Sequence, residues 1–166
     1  EALAAAAWRL WIAGLLFVIV TIARQRFSWR SLRLTVWAGL AFGIATALFF
    51  SAIQLTSVAN VSVISVMQPL PLLVAAKVLF DEPIRRGDLA YVGISLAGAV
   101  FMVLSTNSSG SSDLGGDILA ILAMFAAAGY FIFGKRARQS LDTDVFMAGT
   151  LFWTAIVIAP VALLSG

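Results

Sequence analysis

Long apolar runs, separated by short polar stretches, follow one another along the chain. No Asp, Glu, Lys or Arg occurs from Leu34 to Ala76, a stretch long enough for two membrane-spanning helices of about 20 residues each. The polar patch from Gln54 to Asn60 predicts the turn between them. Because the runs are continuously apolar rather than alternating, they favour helices over transmembrane β-strands.

The apolar runs predict six membrane-spanning helices. Their ranges are 2–23, 34–55, 58–80, 89–106, 117–134 and 145–164. The sequence therefore predicts an all-α integral membrane protein, a polytopic helix bundle.

Basic residues cluster in alternate loops. Most of the 11 basic residues follow the first, third and fifth spans: Arg24, Arg26, Arg30, Arg33, Arg85, Arg86, Lys135, Arg136 and Arg138. The loops after the second and fourth spans contain none. By the positive-inside rule, we expect the loops after Ala23, Phe80 and Gly134 to be cytoplasmic, in a cell inner or plasma membrane.

The composition indicates that the lipid bilayer surrounds most of the protein. Hydrophobic residues make up 61% of the chain and charged residues only 11%, against roughly 45–50% and 25% in soluble domains. The net charge is +3, but the basic residues lie between apolar runs, so we expect no nucleic-acid partner. Cysteine and histidine are absent, and the acidic residues fall in linkers or at the ends of spans, away from mid-membrane, so we expect no enzyme, no bound metal and no cofactor.

Polar and helix-breaking residues in the third span are candidates for a substrate pathway. Asn60, Ile64, Gln68 and Pro71 lie at steps of four and three residues, on one helical face. Pro69 and Pro71 each remove a backbone donor, which frees a carbonyl one turn earlier and bends the helix. The freed carbonyls and the amide could bind a ligand within the bilayer. Alternatively, serine and glutamine side chains satisfy those carbonyls or pair between helices.

Further candidates lie in the first two spans and after the third. Gln54, at the end of the second span, joins the candidate pathway. Arg9 lies inside the first span between two tryptophans. It either snorkels to the membrane surface or enters a hydrated cavity and attracts a substrate carboxylate. Glu82 and Arg85 form either a cytoplasmic gate or a charged helix stop.

Small residues recur at helical spacing in the second span. Gly39, Gly43 and Ala47 follow one another every four residues, and Gly93 belongs to a weaker pattern in the fourth span. Such residues let a neighbouring helix approach closely. We expect a helix-packing face, either static or sliding during conformational change.

Several motifs occur in an order that is typical of one transporter family. The segment 49–60 resembles the end of its third helix and the following turn, and 67–71 followed by Glu82 resembles its fourth. Arg9 resembles the arginine that opens its second helix, and 115–120 the start of its sixth. Together these motifs resemble the EamA-type family of the drug/metabolite transporter superfamily.

The resemblance implies ten helices in two inverted five-helix repeats. Residues 1–106 would supply helices two to five of the first repeat, 107–116 an external linker, and 117–166 the first two helices of the second. The chain looks truncated on this plan and is not expected to transport alone. The implied function is export or exchange of small metabolites, such as amino acids or drug-like compounds, by alternating access.

Two other functions remain open at this point, as does the oligomeric state. One is a non-transporting membrane scaffold or assembly subunit. The other is a carrier of nucleotide sugars or phosphorylated metabolites, which would need several inward-facing basic residues. Within the spans only Arg9 and Lys77 qualify, so small-molecule substrates without phosphate are favoured.

The charge pattern makes a testable prediction of topology. In this cysteine-free chain, a cysteine replacing Ser111 should react with a membrane-impermeant reagent added to intact cells, and one replacing Gly87 should not. After permeabilisation both should react, which controls for accessibility. Labelling of Gly87→Cys in intact cells would contradict the orientation.

Overall fold

A computed structural model describes residues 2–23, 28–105 and 113–164, and every regular element in this part of the chain is an α-helix. The helices are α1 (Ala2–Ala23), α2 (Trp29–Leu55), α3 (Val58–Val66), α4 (Pro69–Phe80), α5 (Arg86–Ser105), α6 (Leu114–Ala137) and α7 (Thr143–Leu164). The third predicted span corresponds to α3 and α4 together. The all-helical class is thus confirmed. Arg24, Arg26 and most of the predicted external linker lie outside the described residues.

Four stretches of the described chain are long and apolar enough to cross a membrane. They are Trp29–Leu55, Val58–Phe80, Leu114–Ala137 and Thr143–Pro160. In α1 the stretch Trp11–Ala23 is apolar but shorter, and α5 is not among the four. These lengths support a multi-pass membrane protein, while the count of six spans stays a prediction.

Two helices extend further toward their basic ends than the apolar runs indicated. α2 begins at Trp29, so Arg30 and Arg33 lie in its first turns rather than in a loop. α6 continues past Gly134 to Ala137. Long basic side chains can reach water from a helix end whose backbone is still near the bilayer. Charge alone therefore does not mark where such a helix stops.

The described residues form two compact units. Unit 1 comprises Glu1–Ala47 and Gly129–Gly166, and unit 2 comprises Leu48–Ala128. The boundary falls within α2 and α6, each of which contributes to both units.

In unit 1, α7 packs against both α1 and α2. The α2–α7 contact is close because α2 presents Gly39 and Gly43, which are both buried. A Cβ added to Gly43 would lie 2.7 Å from the Cβ of Val157, and one added to Gly39 would lie 2.8 Å from the carbonyl oxygen of Thr150. Lipid supplies no hydrophobic force between helices, so such close packing is what holds them together.

Side chains of α7 also bond directly to the backbone of α2. The hydroxyl of Thr154 donates to the carbonyl of Gly39 at 3.1 Å. The indole N–H of Trp153 donates to the carbonyl of Leu32 at 2.9 Å. Both acceptor carbonyls lie within α2. The carbonyl of Gly39 is accessible to Thr154 because glycine has no side chain.

Unit 2 has a small core and one open helix face. Ala52, Val61 and Ala120 are buried together, and α3 packs against α5. Gly93 of α5 is exposed, and a Cβ added there would meet no atom within 4 Å. The packing role expected for Gly93 is therefore not seen among the described residues. Ala47, the next small residue of the α2 series, is half-buried.

The glycine contacts predict opposite outcomes for two alanine substitutions. Gly43→Ala should destabilise the protein by about 1–3 kcal/mol, because the new methyl group meets Val157. Gly93→Ala makes the same chemical change in open space and should leave thermal stability in detergent unchanged or raise it. Equal melting temperatures for the two variants would contradict the close α2–α7 contact.

Candidate functional site

The apolar stretch Val58–Phe80 is interrupted near its middle. α3 ends at Val66, α4 begins at Pro69, and two residues connect them. From Val58 to the break, a rise of 1.5 Å per residue gives about 14 Å, roughly half of a 30 Å hydrocarbon core. The break therefore falls near mid-depth if this stretch crosses the membrane, as its length and composition allow.

The carbonyls of Ser65 and Met67 accept backbone hydrogen bonds at the break, contrary to the expectation that they are free. The prolines of α4 cannot donate to the carbonyls of Ser65 and Met67. The residue before each proline does so instead: the N–H of Gln68 reaches Ser65 at 3.1 Å, and that of Leu70 reaches Met67 at 3.0 Å. A local tightening to i→i−3 bonds thus satisfies both carbonyls, and the expectation of free carbonyls was wrong.

The polar side chains at the break differ in whether their hydrogen-bonding groups already have partners. The hydroxyls of Ser62 and Ser65 each donate to a carbonyl of their own helix at 2.7 Å. Gln68 is half-buried, and its side-chain amide forms no hydrogen bond within the described chain. An amide offers two N–H donors and one acceptor oxygen. Of the polar side chains near the break, that of Gln68 is therefore the one whose donors and acceptor have no partner within the described chain.

A polar cluster joins the α2–α3 turn to the start of α6. The hydroxyl of Thr56 donates to Oδ1 of Asp117 at 2.9 Å, and the amide of Asn60 approaches the same oxygen at 3.4 Å. Thr56 is buried. Hydrogen bonds to a carboxylate are stronger than those between neutral groups, so this cluster ties together segments that are distant in sequence.

Local caps hold both sides of this cluster. The hydroxyl of Ser57 accepts the N–H of Asn60 at 3.2 Å and starts α3. At the start of α6, the carboxylate of Asp113 accepts the N–H of Gly115 at 3.2 Å. Capping of this kind satisfies first-turn donors that the helix itself leaves open.

Gly116 sets how closely the two segments approach. A Cβ at this position would lie 2.7 Å from the Cβ and 2.8 Å from the backbone nitrogen of Thr56. The absence of a side chain therefore lets the first turn of α6 lie directly on the turn after α2.

Thr56, Gly116 and Asp117 were not among the predicted site residues. Two features of the sequence could have indicated this cluster. One is the pair of glycines before an acid at the start of an apolar run, and the other is the turn of Thr, Ser and Asn residues after α2. Asn60 was expected to line a pathway, and the structure gives it partners in this cluster. Ile64, on the same helical face, packs beside the Ala52 core.

The linker between α4 and α5 is fixed by its own caps. Asp81 has φ 53°, the left-handed conformation that Asp tolerates, and the N–H of Glu82 returns to the carbonyl of Ala76 at 3.2 Å. The N–H of Arg85 donates to Oδ2 of Asp88 at 2.9 Å. The predicted gate residues Glu82 and Arg85 therefore lie on an ordered connection with exposed side chains.

The other predicted pathway residues belong to α1, α2 and α4. Gln54 is exposed near the end of α2, in unit 2. Arg9 is exposed on α1, in unit 1. Pro69 and Pro71 are half-buried in the first turn of α4.

Comparison with known proteins identifies the family. A sequence model of the EamA-like transporter family matches residues 1–104, more than half of the chain. No curated protein and no solved structure matches. The chain therefore belongs to the EamA-like transporter family, within the drug/metabolite transporter superfamily. Members of this family are membrane transporters rather than enzymes.

The cluster geometry predicts different effects for neighbouring glycines. Gly116→Ala should lower stability by about 1–3 kcal/mol, because the methyl group pushes α6 away from Thr56. Gly115→Ala is the matched control, since its Cβ would meet only the carboxylate of Asp113, at 3.3 Å. Thermal unfolding in detergent compares them. A melting temperature of Gly116→Ala at or above that of Gly115→Ala would refute the close approach.

Proposed function

We propose that this member of the EamA-like transporter family is a secondary transporter that exports or exchanges small metabolites, such as amino acids or drug-like compounds, by alternating access. The observation that carries the proposal is the break between α3 and α4 in the middle of an apolar stretch. Broken helices at mid-membrane are where such transporters commonly bind their substrates.

Gln68 is the proposed substrate contact at the break. A polar group in the bilayer interior costs free energy unless it is hydrogen-bonded. The carbonyls of Ser65 and Met67 already accept backbone hydrogen bonds, and the nearby serines bond within their own helix. The amide can therefore bond a carboxylate, amine or carbonyl of a ligand without breaking a bond in the described chain.

Pro69 and Pro71 contribute to the same site by interrupting the helix. They prevent α3 and α4 from forming one continuous helix, because neither can donate the bond that would join the turns. Two half-helices joined at Gln68 can change their mutual angle with little loss of backbone hydrogen bonding. Such a hinge at the binding site is what alternating access requires.

The two ends of this broken helix are the proposed gates. At the start of α3, Asn60 bonds to Asp117, and Gln54 lies nearby in the sequence at the outer side. At the end of α4, Glu82 and Arg85 would form the cytoplasmic gate. We assign these sides from the basic loops, which place the linkers after Ala23, Phe80 and Gly134 in the cytoplasm.

The proposed plan is the ten-helix fold of two inverted repeats, in which α1 to α5 form helices two to five. α6 and α7 would then begin the second repeat, after the linker 107–116. Direct packing of α1 on α7 supports this plan, because these would be the equivalent second helices of the two repeats. Helices related by a two-fold axis can meet at that axis.

Arg9 is proposed to attract the carboxylate of an anionic or zwitterionic substrate. It is exposed on α1 in a largely apolar helix. A guanidinium binds a carboxylate through two parallel hydrogen bonds, which a lysine cannot reproduce.

Transport assays with the gene product that contains this chain test the site. Reconstituted in vesicles, Gln68→Leu should reduce transport about tenfold or more, the loss expected for one buried polar contact, with folded yield kept. Ser62→Ala is the control, since its hydroxyl bonds only within α3. Labelled amino acids and an amphipathic dye serve as substrates.

The same assay separates the two roles of Arg9. Substrate binding predicts that Arg9→Ala abolishes amino-acid transport and Arg9→Lys weakens it, whereas snorkelling predicts altered yield and normal rates. Near-normal rates for both Gln68→Leu and Arg9→Ala, per folded protein, would exclude the proposed site.

A further inference from the structure

An open groove of about 650 Å³ lies in unit 1. One wall is the start of α2, and the other is the connection between α6 and α7. Arg30 lines it from the first of these segments and Arg138 from the second. The lining also includes the apolar side chains of Leu34 and Val145. The groove thus combines two cationic groups with an apolar surface.

The charge of the groove is unbalanced in favour of an anion. Among the described residues, its lining contains two guanidinium groups and one carboxylate, that of Asp142. Both arginines are exposed, and neither guanidinium forms an ion pair with any described residue. Two arginines in one groove provide planar donors suited to the oxygens of a phosphate.

The first-turn backbone N–H groups of α2 do not provide the donors for an anion in this groove. The N–H of Arg30 donates to the hydroxyl of Ser28 at 3.3 Å, and the N–H groups of Ser31 and Leu32 donate to the Ser28 carbonyl. These first-turn donors are therefore already used. An anion in the groove would be held by the arginine side chains.

The groove lies where the apolar spans end. The candidate spans Trp29–Leu55, Leu114–Ala137 and Thr143–Pro160 all begin or end beside it. Trp29, next to Arg30 in sequence, is 78% exposed. Tryptophan at the end of a span is typical of the membrane–water interface. These features place the groove at the depth of lipid headgroups.

We propose that the groove binds the phosphate of an anionic phospholipid, held between Arg30 and Arg138. The open side admits a headgroup that remains in the membrane, and Leu34 and Val145 accommodate the apolar part next to the phosphate. Anionic lipids concentrate near juxtamembrane basic side chains. A lipid bound here links the start of α2 to the α6–α7 connection.

Native mass spectrometry of the full chain in detergent, titrated with phosphatidylglycerol or phosphatidylcholine, tests the proposal. We expect tighter binding of phosphatidylglycerol. Arg30→Gln and Arg138→Gln should each weaken it about tenfold, as expected for loss of a charge-assisted bond. Arg33→Gln is the matched control, because it removes the same charge from the same end of α2 outside the groove. It should change affinity no more than about twofold.

Two further measurements address variants that fail to fold and whether the bound phosphate belongs to a lipid. Should a glutamine variant fail to fold, Arg30→Lys and Arg138→Lys keep the charge and are expected to bind with intermediate affinity. Inorganic phosphate is titrated in parallel. Binding of inorganic phosphate without a preference for phosphatidylglycerol would overturn the lipid assignment. Equal weakening by Arg33→Gln, or no effect of the groove variants, would overturn the site.

Discussion

The need to satisfy every backbone hydrogen bond away from water governs this structure. In lipid, an unpaired N–H or carbonyl costs several kcal/mol, so a spanning chain is helical wherever it can be. Where prolines interrupt the helix, two carbonyls that would lose their donors find others. At the α3–α4 break, N–H groups of Gln68 and Leu70 take the carbonyls that the prolines leave open. The break is therefore an alternative bonding arrangement rather than a defect.

The same environment decides how helices associate. Since lipid is as apolar as leucine, burial of large side chains gives little net attraction between helices. In unit 1 the contact between α2 and α7 depends instead on small residues and on polar bonds to backbone. Gly39 serves both purposes, because the missing side chain admits α7 and leaves its carbonyl open to Thr154. In unit 2, Gly116 likewise admits a close neighbour, but the hydroxyl of that neighbour, Thr56, donates to the carboxylate of Asp117 rather than to a glycine carbonyl.

A functional interpretation follows from the distribution of polar groups that have partners and those that do not. The serines of α3 and the Thr56–Asn60–Asp117 cluster are bonded within the protein and stabilise one arrangement of helices. Gln68, Arg9 and the groove arginines Arg30 and Arg138 keep their side-chain donors available among the described residues. The groups that keep their donors available are the ones proposed to bind ligands, whereas the bonded groups stabilise the fold.

The sequence by itself determined the helical class, the positions of the helices to within a few residues, the interruption near Pro69 and the family. These follow from local properties, since hydropathy, missing N–H groups and motif order act along one segment of chain. Only the tertiary structure decided which helix faces Gly39 and Gly43, that Gly93 faces no other described residue, that Asn60 bonds to Asp117, and that Arg30 and Arg138 share a groove. Those pairings join residues far apart in sequence. The spacing of small residues and the charge of a side chain are compatible with many contacting residues. Which residue is contacted depends on how the helices pack together.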